Sequence, residues 1–118
     1  MPQYALAHNK LGMALLRLRA FDEAISSFKK ALHLQSTDAH ILHNNIGVAL
    51  QNRGDFKKAI SHFKRAIRLN PGYALTYTNL GSLFDRLGEY EKAIQFLSEA
   101  VRLSPGSFQA QKKLISFL

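Results

Sequence analysis

The sequence predicts an all-α fold: three two-helix units followed by one more helix, seven helices in all. Three observations predict it. Apolar residues recur at spacings of three and four, as in Phe21, Ala24, Ile25, Phe28, Ala31 and Leu32, which marks one buried face of an α-helix, and nothing alternates at two for long. The chain also repeats itself: Gly12, Gly47 and Gly81, spaced 35 and 34 residues apart, are each followed 12 residues later by an alanine (Ala24, Ala59, Ala93) and 7 further on by another (Ala31, Ala66, Ala100). Glycine and proline punctuate the later units at matching places, with Gly54 and Gly88 inside them and Pro71 and Pro105 at their ends.

The first unit has Leu11 before its glycine and Phe21 three residues before its first alanine, and its second helix closes on Ala31-Leu32-His33-Leu34. Between its helices it has Arg19-Ala20 in place of a glycine, so that turn must adopt another geometry or carry strain. Its connection to the next unit, Gln35-Ser36-Thr37-Asp38, is one residue longer than the others, and Ser36, Thr37 or Asp38 can cap the helix that follows. In the second and third units, Gly54-Asp55 and Gly88-Glu89 read as a left-handed helix stop running straight into an acid-favouring helix start. Pro71-Gly72 and Pro105-Gly106 end the second helices after Ala66-Ile67-Arg68-Leu69 and Ala100-Val101-Arg102-Leu103. Residues 108–118 form one further helix in the register of a fourth first helix, with Ile115 in the glycine column, which suits a terminal cap. The recurring glycines are expected to face the alanines of the partner helix and let the two axes approach closely.

Composition sets the outer limits. At 118 residues and 47% hydrophobic, the chain suffices for one compact domain or a short row of repeated units and is too apolar to be disordered. Without cysteine there is no disulfide framework, thiolate zinc site or cysteine nucleophile. Apolar runs such as Met13-Ala14-Leu15-Leu16 fall far short of a membrane span, and His8, Asn9 and Lys10 break up any secretory signal, so the default compartment is cytoplasmic. Sixteen Lys and Arg against eight Asp and Glu give a net charge of +8, which draws acidic partners by long-range attraction.

Paired helices with a period near 34 and the run small, aromatic, Ala, aromatic, Ala, Pro resemble the tetratricopeptide repeat (TPR) family. The motif residues are Leu11, Gly12, Leu15, Phe21, Ala24, Phe28 and Ala31, then Ile46, Gly47, Leu50, Phe56, Ala59, Phe63, Ala66 and Pro71, then Tyr77, Leu80, Gly81, Phe84, Tyr90, Ala93, Leu97, Ala100 and Pro105. Departures are His8 and His43 where the family has a large aromatic, Ser36 where it has Pro, and Leu97 where an aromatic is usual. The resemblance implies a single domain over residues 1–118, an α-α superhelix with repeats at about 5–39, 40–73 and 74–107 and a terminal helix at 108–118. It also implies a concave groove lined by first helices. The matching columns are Leu6, Asn9, Lys10, Met13, Leu16 and Arg17, then Ile41, Asn44, Asn45, Val48, Gln51 and Asn52, then Leu75, Thr78, Asn79, Ser82, Asp85 and Arg86.

Along this set, Asn45 and Asn79 recur one unit apart, and a side-chain amide both donates and accepts, so the two can grip the backbone of an extended peptide. The arrangement is similar to the asparagine ladder of O-linked N-acetylglucosamine transferases, with Lys10 in the place of a third rung. The alternative is that these asparagines tie helices together or face water. The family's carboxylate clamp would fall on Asn9, Met13, Asn45, Thr78 and Ser82, of which only Asn45 fits, so a chaperone C-terminus is not the expected ligand. Lys10, Arg17 and Arg86 still favour acidic groups.

The expected role is therefore a non-enzymatic scaffold binding a peptide or protein segment. One alternative is self-association into a homo-oligomer through apolar end helices, since Leu114, Ile115, Phe117 and Leu118 surround much of the last one. The other is a basic second-helix face, Lys57, Lys58, Lys64, Arg65 and Arg68, on nucleic acid or an anionic surface, although no aromatic platform accompanies it and a plain solvated face explains it more simply. His8, His40 and His43 could be imagined around a metal, but a histidine in this column most simply replaces a packing aromatic. No phosphate loop, nucleophile elbow or paired-carboxylate cleft is present, and no catalytic residue, cofactor or metal is expected.

Overall fold

A computed structural model of the chain describes residues 2–34 and 38–118. Among the described residues the chain is helical throughout, with seven helices and no strand: α1 (Pro2–Arg17), α2 (Phe21–Leu34), α3 (Ala39–Arg53), α4 (Phe56–Leu69), α5 (Ala74–Arg86), α6 (Tyr90–Leu103) and α7 (Phe108–Ile115). Consecutive helices pack as hairpins, α1 with α2, α3 with α4 and α5 with α6. Two compact units result, Met1–Leu69 and Asn70–Leu118. In the first, α3 packs on α2 and touches α1, so its two hairpins share a core; in the second, α7 closes on α6 and α5.

The three hairpin turns are built alike. In each, the last turn of the first helix accepts a pair of nested backbone bonds: Arg19 N to Leu16 O with Ala20 N to Leu15 O, Gly54 N to Gln51 O with Asp55 N to Leu50 O, and Gly88 N to Asp85 O with Glu89 N to Phe84 O. That geometry needs a left-handed residue. Gly54 (φ 100°) and Gly88 (φ 77°) supply it, and in the first hairpin Arg19 takes φ 61°, the one non-glycine with positive φ among the described residues. Strain, rather than another geometry, is therefore the outcome of the missing glycine. Arg19 lies over the ring of Phe21, 5.1 Å from its centroid, a contact that offsets part of that strain. A methyl added at Gly54 would touch nothing within 4 Å, so Gly54→Ala isolates the backbone effect and should cost about 1 kcal/mol in a urea melt. An unchanged midpoint would show that the turn does not require the left-handed conformation.

Between α2 and α3 the capping candidates Ser36 and Thr37 lie outside the described residues. Asp38 directly precedes α3, but it contributes its backbone carbonyl, to the N–H groups of Ile41 and Leu42, and no side-chain cap. α4 and α6 stop two residues short of Pro71 and Pro105, as expected where the residue before proline is pushed out of the helical region. α7 stops at Ile115, not at residue 118, where the Ser116 hydroxyl donates back to the Lys113 carbonyl and the chain leaves in tight turns. Its start is capped by Ser107, whose hydroxyl oxygen accepts from Ala110 N.

The core includes the recurring alanines together with Phe28, Phe63 and Leu97, all of them almost fully buried. The side chains that stand nearest the close-approach glycines are the large ones of the partner helix, and at Gly81 the backbone carbonyl of Ala93 is close as well, 3.2 Å from an added Cβ. A Cβ at Gly12 would stand 2.5 Å from the Phe28 ring, one at Gly47 2.6 Å from the Phe63 ring, and one at Gly81 2.7 Å from Leu97. Each glycine makes room for the large side chain four residues after the first alanine. Leu97 fills the aromatic's place in the third hairpin, which explains how that departure from the motif is tolerated.

Candidate functional site

In the first unit, α1 and α3 lie in contact and carry twelve of the predicted groove residues. On α1, Leu6, Lys10, Met13 and Arg17 are exposed, and Asn9 and Leu16 are half-buried. On α3, Ile41, Asn45, Val48 and Gln51 are half-buried and Asn52 is exposed. Asn44, at 1% exposure, is packed inside the unit, where no ligand touches it as it stands. The Asn45 amide donates to the Asn9 side-chain carbonyl at 3.0 Å, so the two helices are tied across this face. An amide has two N–H groups and two lone pairs, and this bond uses one N–H of Asn45.

In the second unit the corresponding face is α5. Leu75, Asp85 and Arg86 are exposed, and Asn79 and Ser82 are half-buried. Thr78 is buried at 3% exposure, with its hydroxyl directed at the Ala74 carbonyl, so it too is removed from the accessible set. Ser82 and Asp85 line a pocket of about 390 Å³ with Leu97 of α6, with Gln109, Lys112 and Lys113 of α7, and with Ser116 just beyond its end. These last four were not among the predicted site residues. They stand 34 residues after Leu75, Thr78, Asn79 and Ser82, and the register that places Ile115 in the glycine column would have found them.

Two further features lie away from these faces. An open depression of about 620 Å³ in the first unit is lined by His8 and one side of α2, including Asp22, Ile25, Lys29, Lys30 and His33, and by none of the predicted groove residues. Within the α3–α4 hairpin, His43 meets His62, with Nδ1 to Nδ1 at 3.1 Å. One ring must donate and the other accept, so the two imidazoles hold different tautomers. Burial, then the neighbouring His62 and Arg65 charges, lowers the His43 pKa to about 4, and burial with Arg65 and Lys29 lowers that of His62 as well. The pair is neutral at pH 7 and packs as rings, in keeping with the expectation that this column holds an aromatic. His62 was missed because its column holds Ser27 in the first unit and Phe96 in the third, so nothing recurs there. The second-helix basic residues Lys57, Lys58, Lys64, Arg65 and Arg68 are exposed. Among the described residues no helix is long and apolar enough to cross a membrane.

Comparison with known proteins adds the following. A tetratricopeptide repeat family profile matches residues 37–105, and a second one matches residues 5–38. A comparison with curated protein sequences gives no match. Among solved structures, the chain is similar to the first TPR domain of human RPAP3, with 25% identity, a TM-score of 0.88, and coverage of 98% of this chain and 91% of that one. It is similar to the first TPR of Spaghetti (RPAP3) bound to the HSP90 peptide SRMEEVD, at 25% identity and a TM-score of 0.85, covering 98% and 91% of the two chains. It also resembles MamA, at 30% identity and a TM-score of 0.80, covering 96% of this chain and 66% of that one, so it spans about two thirds of the MamA chain.

Proposed function

The chain belongs to the tetratricopeptide repeat family, and from that premise we propose that it is a non-enzymatic binding scaffold for a peptide or protein segment, held by the faces of its first helices. The observation that carries this reading is the exposure of large apolar side chains on those helices, Leu6 at 54%, Met13 at 40% and Leu75 at 42%, beside polar and charged neighbours at helical spacing. The similar TPR of Spaghetti (RPAP3) holding an acidic HSP90 peptide supports the same use of this fold.

On this reading the apolar groups, with Leu16, Ile41 and Val48, bury ligand side chains, while Asn45 and Asn79 engage its backbone. Lys10, Arg17 and Arg86 select acidic groups. Rigid helices present these groups ready-made, so the ordering cost of binding falls mainly on the ligand. Neither Lys nor Arg occupies the clamp columns Asn9, Met13, Asn45, Thr78 and Ser82, so the cations available for an acidic ligand are differently placed from those of the clamp.

The test is to isolate a partner with the intact protein and map amide hydrogen exchange in the complex. Protection should concentrate on α1, α3 and α5, and the Asn45→Ala, Asn79→Ala double variant should bind about tenfold more weakly. Because Asn45 also bonds Asn9, that variant should lose about 1 kcal/mol of stability, which a melt measures separately. Protection confined to α2, α4 and α6 would overturn the reading.

A further inference from the structure

The pocket between α5, α6 and α7 has two chemically opposite walls. On α5, Ser82 donates its hydroxyl hydrogen to the Thr78 carbonyl at 2.9 Å, leaving only lone pairs for a partner, and one turn on, the Asp85 carboxylate also only accepts. On α7, Lys112 and Lys113 only donate. Ser116, like Ser82, has its hydrogen engaged, with the Lys113 carbonyl. The apolar element of the lining is Leu97, 1% exposed, and the volume of about 390 Å³ lies within the range of small-ligand pockets. Gln109, Lys112, Lys113 and Ser116 stand at i, i+3, i+4 and i+7, so they share one face of α7 and its C-cap, in the columns that carry Leu75, Thr78, Asn79 and Ser82 on α5.

A simple anion would meet the two lysines but also the Asp85 charge, and a cation the reverse. The complementary ligand carries both characters a few ångströms apart. We propose that this pocket binds a carboxylate adjoining an N–H group, as in an acidic residue of a peptide chain, with the carboxylate on Lys112 and Lys113 and the N–H on Ser82 and Asp85. The inference rests on the groove reading above and extends the groove onto α7, which thereby acts as a fourth first helix as well as a cap.

The probes are acetyl-Glu-Glu-amide, acetyl-Gln-Gln-amide, acetyl-Gln-Gln with a free C-terminus, and glutarate, each titrated into the full chain while backbone amide NMR signals are followed. Acetyl-Glu-Glu-amide should shift α5 and α7 signals and bind at least about tenfold more tightly than acetyl-Gln-Gln-amide or glutarate. The Lys112→Gln, Lys113→Gln double variant should lose that advantage and the Lys→Arg pair should keep it. Circular dichroism checks that both stay folded. Binding of the free-acid Gln peptide as tight as that of acetyl-Glu-Glu-amide supports the site too, and assigns the carboxylate to a chain end rather than to a side chain. Glutarate binding as tightly as acetyl-Glu-Glu-amide would overturn the N–H half of the proposal, and an unaltered affinity in the Lys→Gln pair would overturn the lysine half. Shifts on α1 and α3 without any on α7 would overturn the pocket while leaving the groove reading standing. Shifts confined to second helices would overturn both.

Discussion

Phe63→Ala lowers the stability of the chain by about 3 to 5 kcal/mol, because a fully buried ring at the centre of the α3–α4 hairpin is replaced by a cavity. The more informative result is the reversal it imposes on Gly47. In the parent protein Gly47→Ala places a methyl 2.6 Å from that ring, and neither helix axis nor ring can yield without disturbing the packing around them, so the change costs about 1 to 3 kcal/mol. Once the ring is gone, the same methyl enters empty space and brings alanine's better helix propensity, so Gly47→Ala becomes stabilising by about 0.5 to 1 kcal/mol. Urea melts of the four proteins form a double-mutant cycle whose interaction energy measures the contact. Should Gly47→Ala cost the same in both backgrounds, the glycine is there for some reason other than the ring.

Acid destabilises the first unit earlier than carboxylate protonation alone would. Below pH 6.5 the histidines of the unfolded chain take up protons that the folded His43–His62 pair refuses, so stability falls with falling pH until the folded pKa, about 4 for His43, is reached. The shift of His43 corresponds to a loss of about 2 to 3 kcal/mol by pH 4, and His62 adds to it in the same direction. Lys29 of α2 and Arg65 of α4 stand near the pair and oppose a proton there. The next hairpin supplies the control. Its equivalent positions are Tyr77 and Phe96, whose rings pack 6.3 Å apart without a group that titrates in this range. The His43→Tyr, His62→Phe double variant should therefore keep the hairpin folded and flatten the stability profile between pH 6.5 and 4. An equal slope in both proteins would mean that the acid sensitivity lies elsewhere.

How much of this was readable in the residues alone varies by kind. The seven helices and their punctuation follow from the glycine, alanine and proline columns, because a recurring special residue marks a recurring special backbone; for the first turn the sequence leaves strain and another geometry open, and Arg19 at φ 61° decides for strain. Periodicity identifies the side of a helix but not which atom of the partner stands nearest; that it is Phe28, Phe63 or Leu97 depends on where the axes cross. Asn44 and Thr78 share a column with Asn9 yet are buried where Asn9 is half-buried, a difference in surroundings that membership of one column does not reveal. The hydrogen bond from the Asn45 amide to Asn9 joins two different columns, and no comparison of like with like reveals such a bond. The α7 wall of the pocket is legible in the residues, since the register of a fourth first helix sets Gln109, Lys112, Lys113 and Ser116 in the groove columns.

Arg53, at the end of α3, donates to Asp22 at the start of α2 and to Asp55 just before α4, so a single guanidinium joins consecutive hairpins of the first unit at their turns. That tie is ionic and exposed, and dissolved salt weakens it. The amide link from Asn45 to Asn9, midway along α1 and α3, is uncharged and indifferent to salt. Raising ionic strength thus weakens one of the two polar ties and spares the other, while the packing of α2 on α3 that the two hairpins share is left in place.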